Sequence, residues 1–347
     1  MEKIHCNGEK VFIGIDVHKR QYTVNCRLAG KVVGRCTMPA YPSVLIDFVS
    51  KHLIGAKIHT AYEAGFSGFG LHRALISAGI DSTVVHPLSI EVDQKKVKTD
   101  KRDSARIAEQ LEAGRLKCIR IPSEEQEIKR VLTRTREQLV RARTRAGNQI
   151  QMRRLQFGLV DPMDRTRMGP ATILKVLSLD VAPELKLSFS VLAGVWRCVN
   201  SQIALLDREL VKVSSGDGLW QAYKRVSGVG KLTARILADE LGDMSQFPNE
   251  RKLFSFLGLT PSEHSTGDKR HLGSITKQGS SRLRHILVEA AWVAVKKDTA
   301  LRTDFLRIAA RAGKRKAIVA IARKLANKIR AALRKKEDYS LNYKTAA

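Results

Sequence analysis

Acidic residues are the scarce class in this chain: 34 Asp and Glu stand against 62 Lys and Arg, a formal charge of +28. Self-repulsion on that scale is tolerated where a polyanion offsets it, so nucleic acid is the default partner. Charge alone does not separate an enzyme from a packaging or ribosome-associated protein. Aromatics are also sparse, at 5%, which leaves the packing to helices rich in Leu, Ile, Val and Ala and predicts a mainly helical protein. The five cysteines, Cys6, Cys26, Cys36, Cys118 and Cys198, form no CxxC and no Cys/His pair at zinc-ligand spacing. A structural zinc site is excluded, and free thiols in a reducing cytoplasm are predicted. Residues Met1 to Lys10 hold no apolar signal-like core, and no run of ~18 apolar residues occurs, so no membrane segment is expected. Internal repeats and low-complexity tracts are lacking too.

What is present, over 347 residues, suits two or three modules of ~100 to 150 residues each. Val11-Phe12-Ile13-Gly14-Ile15-Asp16 is an apolar run of strand length closing on an acid, a buried central strand. Tyr22 to Leu28 and Lys31 to Met38 flank the turn Ala29-Gly30, which makes the opening three antiparallel strands. Pro42-Ser43 is read as the cap of a helix whose Val44, Leu45, Phe48 and Val49 share a face. Ile58 to Glu63 is a second strand closing on an acid. A helix near Leu71 to Ser77 and a strand Ser82 to His86 follow, with further helix beyond. That order is the order of a ribonuclease-H-like fold.

Past Pro122 the texture becomes long helix. Ile128, Leu132, Thr135, Leu139, Ala142 and Ala146 form one seam, with Arg134, Arg136, Arg141, Arg143 and Arg145 placed outside it. Leu192, Trp196, Val199, Ile203, Leu206, Leu210 and Val213 form a second, cleaner one. Either a local helical hairpin or a dimerising coiled coil satisfies both stripes. Ser214 to Gly218 reads as a linker, and basic helical sequence follows. It ends in an arm carrying Arg311, Lys314, Arg315, Lys316, Arg323, Lys324, Lys328, Arg330, Arg334, Lys335 and Lys336, read as phosphate-contacting against the alternative of a solvated face.

The chemistry is carried by four acids. If their strands pair, Asp16 and Glu63 meet at one edge of the sheet, and a spacing of three puts Asp100 and Asp103 on one face of a helix. Each alone reads more simply as a cap or surface carboxylate. Together, in so cationic a chain, they suggest oxygen ligands for hard cations, two Mg²⁺ ~4 Å apart that would neutralise a pentavalent phosphate. Lys98, Lys101 and Arg102 lie between the acids, positioned to hold a DNA backbone.

Ile13-Gly14-Ile15-Asp16-Val17-His18-Lys19, Tyr62-Glu63-Ala64-Gly65 and Lys98-Thr99-Asp100-Lys101-Arg102-Asp103-Ser104-Ala105 resemble the motifs of the transposases of the insertion sequence 110 family, DEDD-type recombinases of bacterial mobile elements. The resemblance extends over nearly the whole chain. It implies that Asp16, Glu63, Asp100 and Asp103 are the metal-binding tetrad of a RuvC-like domain working with Mg²⁺ in the bacterial cytoplasm. Leu257 to Gly267, followed by Gly273 to Gly279, is similar to the family segment that carries a nucleophilic serine. In family members with one serine before the glycine, that serine falls at Thr266, whereas Ser265 lies one residue earlier. Ser265 is the less hindered alcohol and is preferred, with Thr266 as its rival; either needs activation by the acid-bound metal. A turn or helix cap is the structural alternative for both. Lys269, Arg270 and Lys277 are the basic neighbours of that loop. Upstream, Gly228, Gly230 and Lys231 sit in a helix-hairpin-helix-like turn whose amides could approach phosphate, unless it is a plain glycine-rich turn.

The predicted architecture is therefore α/β plus all-α: a RuvC-like ribonuclease-H domain over 1–118, a coiled-coil region over 119–217, and a helical transposase domain over 218–347. The resemblance further implies a covalent hydroxyl–DNA intermediate, DNA of element ends and target as substrate, a bridge RNA as guide, and a dimer or tetramer. Two other readings are a hydrolytic junction resolvase using the same acids, and a non-enzymatic basic nucleic-acid-binding protein for which the acids are incidental.

Overall fold

In the computed structural model, residues 3–6, 8–87, 90, 99–263 and 271–335 are described. The chain folds into two compact units, 1–122 and 123–347. Contacts thus join the long-helix region to the basic C-terminal part within one unit.

The first unit is mixed α/β. A short β1 (Ile4–His5) pairs in parallel with β5 (Leu53–Ile54). The main sheet contains β2 (Lys10–Val17), β3 (Gln21–Leu28), β4 (Lys31–Pro39), β6 (Lys57–Glu63) and β7 (Asp81–Val85), in the order β4-β3-β2-β6-β7. β2, β3 and β4 run antiparallel to one another, whereas β6 lies parallel to β2 and β7 parallel to β6. Alternation sorts the residues by face. Val11, Ile13 and Ile15 of β2, with Tyr22, Val24 and Cys26 of β3, are buried in one core with Leu45 and Val49 of α1 (Pro42–His52) and Leu71 and Leu75 of α2 (Gly70–Ser77). α1 starts differently from the sequence reading: Pro42 fills the first turn and Tyr41 is the cap, without a side-chain hydrogen bond, because proline's missing N–H is no loss there. The opposite face of the sheet, bearing Gly14 and Asp16, is covered by α3 (Asp100–Glu112).

The second unit is mostly helical. α4 (Glu124–Gln156) opens with a capping box between Ser123 and Gln126. α5 (Pro170–Leu177) leads to α6 (Pro183–Ser214). Arg136 pairs with Asp207 at 2.5 Å and Arg143 with Asn200 at 2.7 Å, so the partner number falls as the α4 number rises and the two helices form an antiparallel hairpin. Trp196, Ile203 and Leu210 are buried as the second seam requires, whereas Val213 is exposed. On α4 the buried set is Thr133, Ala146, Gly147 and Ile150, and Ile128 is 64% exposed. Arg134, Arg141 and Arg145 are exposed as expected, although Arg134 also bonds Glu240, whereas Arg136 and Arg143 are half-buried against Asp207 and Asn200. α6 also qualifies the expectation about membrane segments. By length and composition it could span a bilayer, with a mean hydropathy of 1.3 in its most apolar stretch, yet one of its faces packs on α4.

Beyond the hairpin, α7 (Gly218–Lys224), α8 (Lys231–Leu241), α9 (Glu250–Leu257), α10 (Ser281–Lys297), α11 (Thr299–Ala312) and α12 (Lys314–Lys335) share a core that includes Leu237, Leu287, Ile321 and Leu325. A small hairpin of β8 (Pro261–Glu263) and β9 (Leu272–Ile275) precedes α10. The basic arm is partly a structural element. Lys324 pairs with Asp304, Lys328 with the buried Asp298, and Arg330 donates to the Phe247 carbonyl.

Candidate active site

Gly14 decides where the acids stand. A Cβ at this position would lie 2.1 Å from the Ser104 carbonyl oxygen and 2.4 Å from the Ala108 nitrogen. α3 therefore rests backbone-first on β2, an approach only glycine permits. Asp16, two residues on and on the same face, consequently faces the first turn of α3, which holds Asp100 and Asp103. Acids in that turn also suit the positive end of the helix dipole.

His18 completes the arrangement. Its Nε2 lies 3.2 Å from Asp16 Oδ2 and 3.3 Å from Asp100 Oδ2, and one ligand atom from each of Asp16, His18 and Asp100 falls within 4.8 Å of the others. Asp103 pairs with Arg106 at 3.2 Å. Burial holds the Asp16 carboxyl above its ordinary range; the charge of His18 works against this, and the charges of Asp100 and Asp103 add to it. Several carboxylates crowd round a partly desolvated acid. This oxygen-rich, negatively charged donor set fits a hard divalent cation.

Glu63 enters by register. β2 and β6 are paired as far as Ile15 and Tyr62, so the next step in each strand sets Glu63 beside Asp16 at the same sheet edge. It is exposed and lies outside the close group of Asp16, His18 and Asp100. His18 has no role in the sequence reading although it stands inside the first motif. A histidine two residues past a strand-terminal Asp was the available signal, but its meaning depends on Asp100 being brought to it.

The basic candidates fall at separate places. Lys101 and Arg102 are exposed on the first turn of α3. Gly230 and Lys231 open α8, and a Cβ on Gly230 would meet nothing within 4 Å. Gly228 differs: at φ +85° it is pressed against α10, where a Cβ would lie 2.3 Å from the Ala290 carbonyl oxygen, so packing accounts for it. Lys277 is exposed at the base of the β8–β9 hairpin with φ 57°. That base is firmly tied. Thr276 N–H donates to the Thr260 carbonyl at 2.8 Å, Lys277 N–H to that of Gly258 at 3.1 Å, and Arg284 Nη1 to the carbonyls of Leu257 and Gly279 at 3.0 and 2.9 Å. Lys98, Ser265, Thr266, Lys269 and Arg270 lie outside the described residues.

The order of these motifs is matched by known proteins. A DEDD transposase family model, described as "Transposase", matches residues 13–153, and one described as "Transposase IS116/IS110/IS902 family" matches residues 221–306. The chain is 30% identical over 243 residues to "Probable family 20 transposase" of Pseudomonas aeruginosa, covering 68% of this chain and 71% of that protein. This chain belongs to the IS110 family of transposases. Two further relatives are named as transposases. "Putative transposase y4qE" of Sinorhizobium fredii is 33% identical over 237 residues, covering 68% of this chain and 58% of that protein. "Transposase for insertion sequence element IS1111A" of Coxiella burnetii is 29% identical over 274 residues, covering 77% and 75%. The IS110 family match over 13–153 takes in all four acids, and the second match takes in the hydroxyl loop.

Proposed function

We propose that this chain cleaves and rejoins DNA strands, with Asp16, Glu63, Asp100 and Asp103 as a metal-binding tetrad on a RuvC-like ribonuclease-H domain. The observation that carries the reading is the convergence of Asp16, His18 and Asp100 at the end of the central strand under α3. The sheet order, with an antiparallel meander extended by two parallel strands, supports that fold assignment. A divalent cation bound there, Mg²⁺ by the hardness of the ligands, supplies Lewis-acid stabilisation of charge on phosphoryl oxygens. The tetrad's own part is to hold negative oxygens at fixed positions, while exposed Lys101 and Arg102 attract the strand.

In this proposal the oxygen of Ser265, or of its rival Thr266, attacks phosphorus. The new Oγ–P bond forms as the P–O bond to the departing strand breaks, and the departing oxygen takes up the proton that the alcohol loses. Reversal on a second strand end conserves bond energy, so exchange needs no external energy source. The acids belong to the first unit and the alcohols to the second, which makes a division of labour over 1–118, 119–217 and 218–347 part of the proposal, with the α4–α6 hairpin as the coiled-coil region. Guidance by a bridge RNA and assembly as a homo-oligomer complete it; the +28 charge suits either polymer.

The test is to trap the protein on DNA carrying the element ends with Mg²⁺ and the element's flanking transcript, then map the adduct by peptide mass. Attachment at Ser265 or Thr266 is expected. Strand cutting with no adduct would replace the covalent mechanism with hydrolysis.

A further inference from the structure

A second polar site lies beside the carboxylates, on the same face of the sheet. Thr23 and Asn25 of β3 stand opposite Asp16 and Gly14 of β2, and Arg35 and Thr37 of β4 stand opposite Asn25 and Thr23. With Lys101 and Ser104 of α3 they line a cavity of about 300 Å³, at the small end of the range for ligand pockets. Asn25 is completely buried and neither end of its carboxamide has a hydrogen-bond partner among the described residues. An amide left so bears its full desolvation penalty, and such groups in folded proteins are normally met by a ligand or an ordered water. Arg35 and Lys101 are exposed, and no acid pairs with either among the described residues. The pocket therefore combines an idle donor and acceptor at its floor with two idle cations at its mouth.

We propose that this pocket takes one unpaired nucleotide of the strand held at the carboxylates, with its base edge against Asn25 and its phosphate between Arg35 and Lys101. The proposal rests on the reading of the chain as a DNA-processing enzyme and adds to it a base-reading subsite. A carboxamide presents a donor beside an acceptor, the complement of the N6 and N7 edge of adenine. Phosphate contacts by the two cations position the strand without reading it. A base pair within a duplex could not enter, because its stacked bulk exceeds a cavity of about 300 Å³ although its N6 and N7 edge stays open in the major groove. The carboxamide is closed from solvent in this conformation by α3, so entry requires the N-terminal part of α3 to lift from β3.

The experiment is fluorescence anisotropy of the full-length protein, without divalent ions, on short single strands of deoxyadenylate, deoxycytidylate or thymidylate. The wild type is expected to prefer deoxyadenylate by about tenfold over thymidylate, the range of one bidentate base contact. Asn25→Leu, a near-isostere that removes the idle amide, should melt no lower than wild type and bind the three strands equally. The paired change Arg35→Gln with Lys101→Gln should weaken all three alike and reduce the salt slope by about one. Competition by free deoxyadenylate monophosphate, absent with inorganic phosphate, would show that a nucleotide alone suffices; preference without such competition would show that the strand is needed. Equal binding of the three strands by wild type, or the same ranking in Asn25→Leu, overturns the proposal, as does an unchanged salt slope in the paired variant. Adduct formation is scored separately: a chain with Asn25-dependent preference and no adduct sinks the recombinase reading and keeps the pocket, and the converse result sinks only the pocket.

Discussion

Two residues on β2 connect packing to chemistry. Gly14 lets α3 down onto the sheet, and Asp16 meets what α3 brings. Gly14→Ala forces a Cβ into the Ser104 and Ala108 backbone, so a loss of about 3 kcal/mol is expected, near the upper end for overpacking. In a melt with and without Mg²⁺, the same variant should show a reduced metal-dependent rise in Tm, because Asp100 is moved away from Asp16. Asp16→Asn tests the other half. Its carboxyl is held above the ordinary range by burial, so the ionised form costs stability above that raised value, and the amide should leave the metal-free protein at least as stable. DNA binding should persist while strand cleavage falls by a factor on the order of 10³ or more, as removal of a catalytic group does. A normal cleavage rate in Asp16→Asn would sink the metal site. Asp16 was legible because an apolar strand closing on an acid is a local pattern. Asn25 was not: alternation assigns it to the polar face of a hairpin, and its burial depends on α3 arriving from far along the chain.

Among the elements, α4 is fastened to the C-terminal helices by two carboxylates, its own Glu137, which pairs with Arg282 at 2.5 Å, and Glu240. Glu240, at the end of α8, takes bidentate hydrogen bonds from Arg134 at 2.9 and 3.0 Å and another from Arg282 at 2.8 Å, while Arg130 donates to the Asp239 and Glu240 carbonyls. Burial alone would raise the Glu240 carboxyl, but the Arg134 hydrogen bond and the charges of Arg134, Arg130 and Arg282 outweigh it and set it below the usual range. A depressed carboxylate contributes stability above its unfolded value, about 4.3, and loses it as pH falls through the folded one. Acid titration of the melt should show that loss, and Glu240→Gln should abolish this part of it while costing about 2 kcal/mol at neutral pH through the lost charge-assisted hydrogen bonds, since Arg282 keeps Glu137 and Arg130 keeps its carbonyl acceptors. The helical seams show what heptad spacing can and cannot supply. The α6 stripe at Trp196, Ile203 and Leu210 was readable because large apolar residues mark it. The α4 stripe was met only in part: Ala146 is buried as expected and Leu132, Thr135, Leu139 and Ala142 are half-buried, but Ile128 is exposed and Thr133, Gly147 and Ile150 are buried off the stripe; a small residue such as Gly147, which admits Trp196, looks unremarkable in sequence.

For the molecule as a whole, the charge of +28 sets expectations that no single site does. Non-specific DNA affinity should fall about 10³- to 10⁵-fold between roughly 50 and 200 mM salt if 6 to 10 phosphates are contacted. A flat salt response in a filter-binding series would contradict the polyanion reading. The first unit has its own core, so residues 1–122 expressed alone should melt cooperatively and keep a Mg²⁺-dependent rise in Tm, yet form no covalent adduct. The sequence by itself determined the polyanion partner, the strand-and-acid motifs and the long helices, because each is written in charge or in a period of two, three or four residues. The tertiary structure alone decided that His18 joins Asp16 and Asp100, that Gly228 is a packing glycine, that Lys324, Lys328 and Arg330 of the basic arm are consumed internally, and that Asn25 under α3 has no partner among the described residues. Those outcomes depend on which surfaces meet across long stretches of chain, and local periodicity carries no record of them.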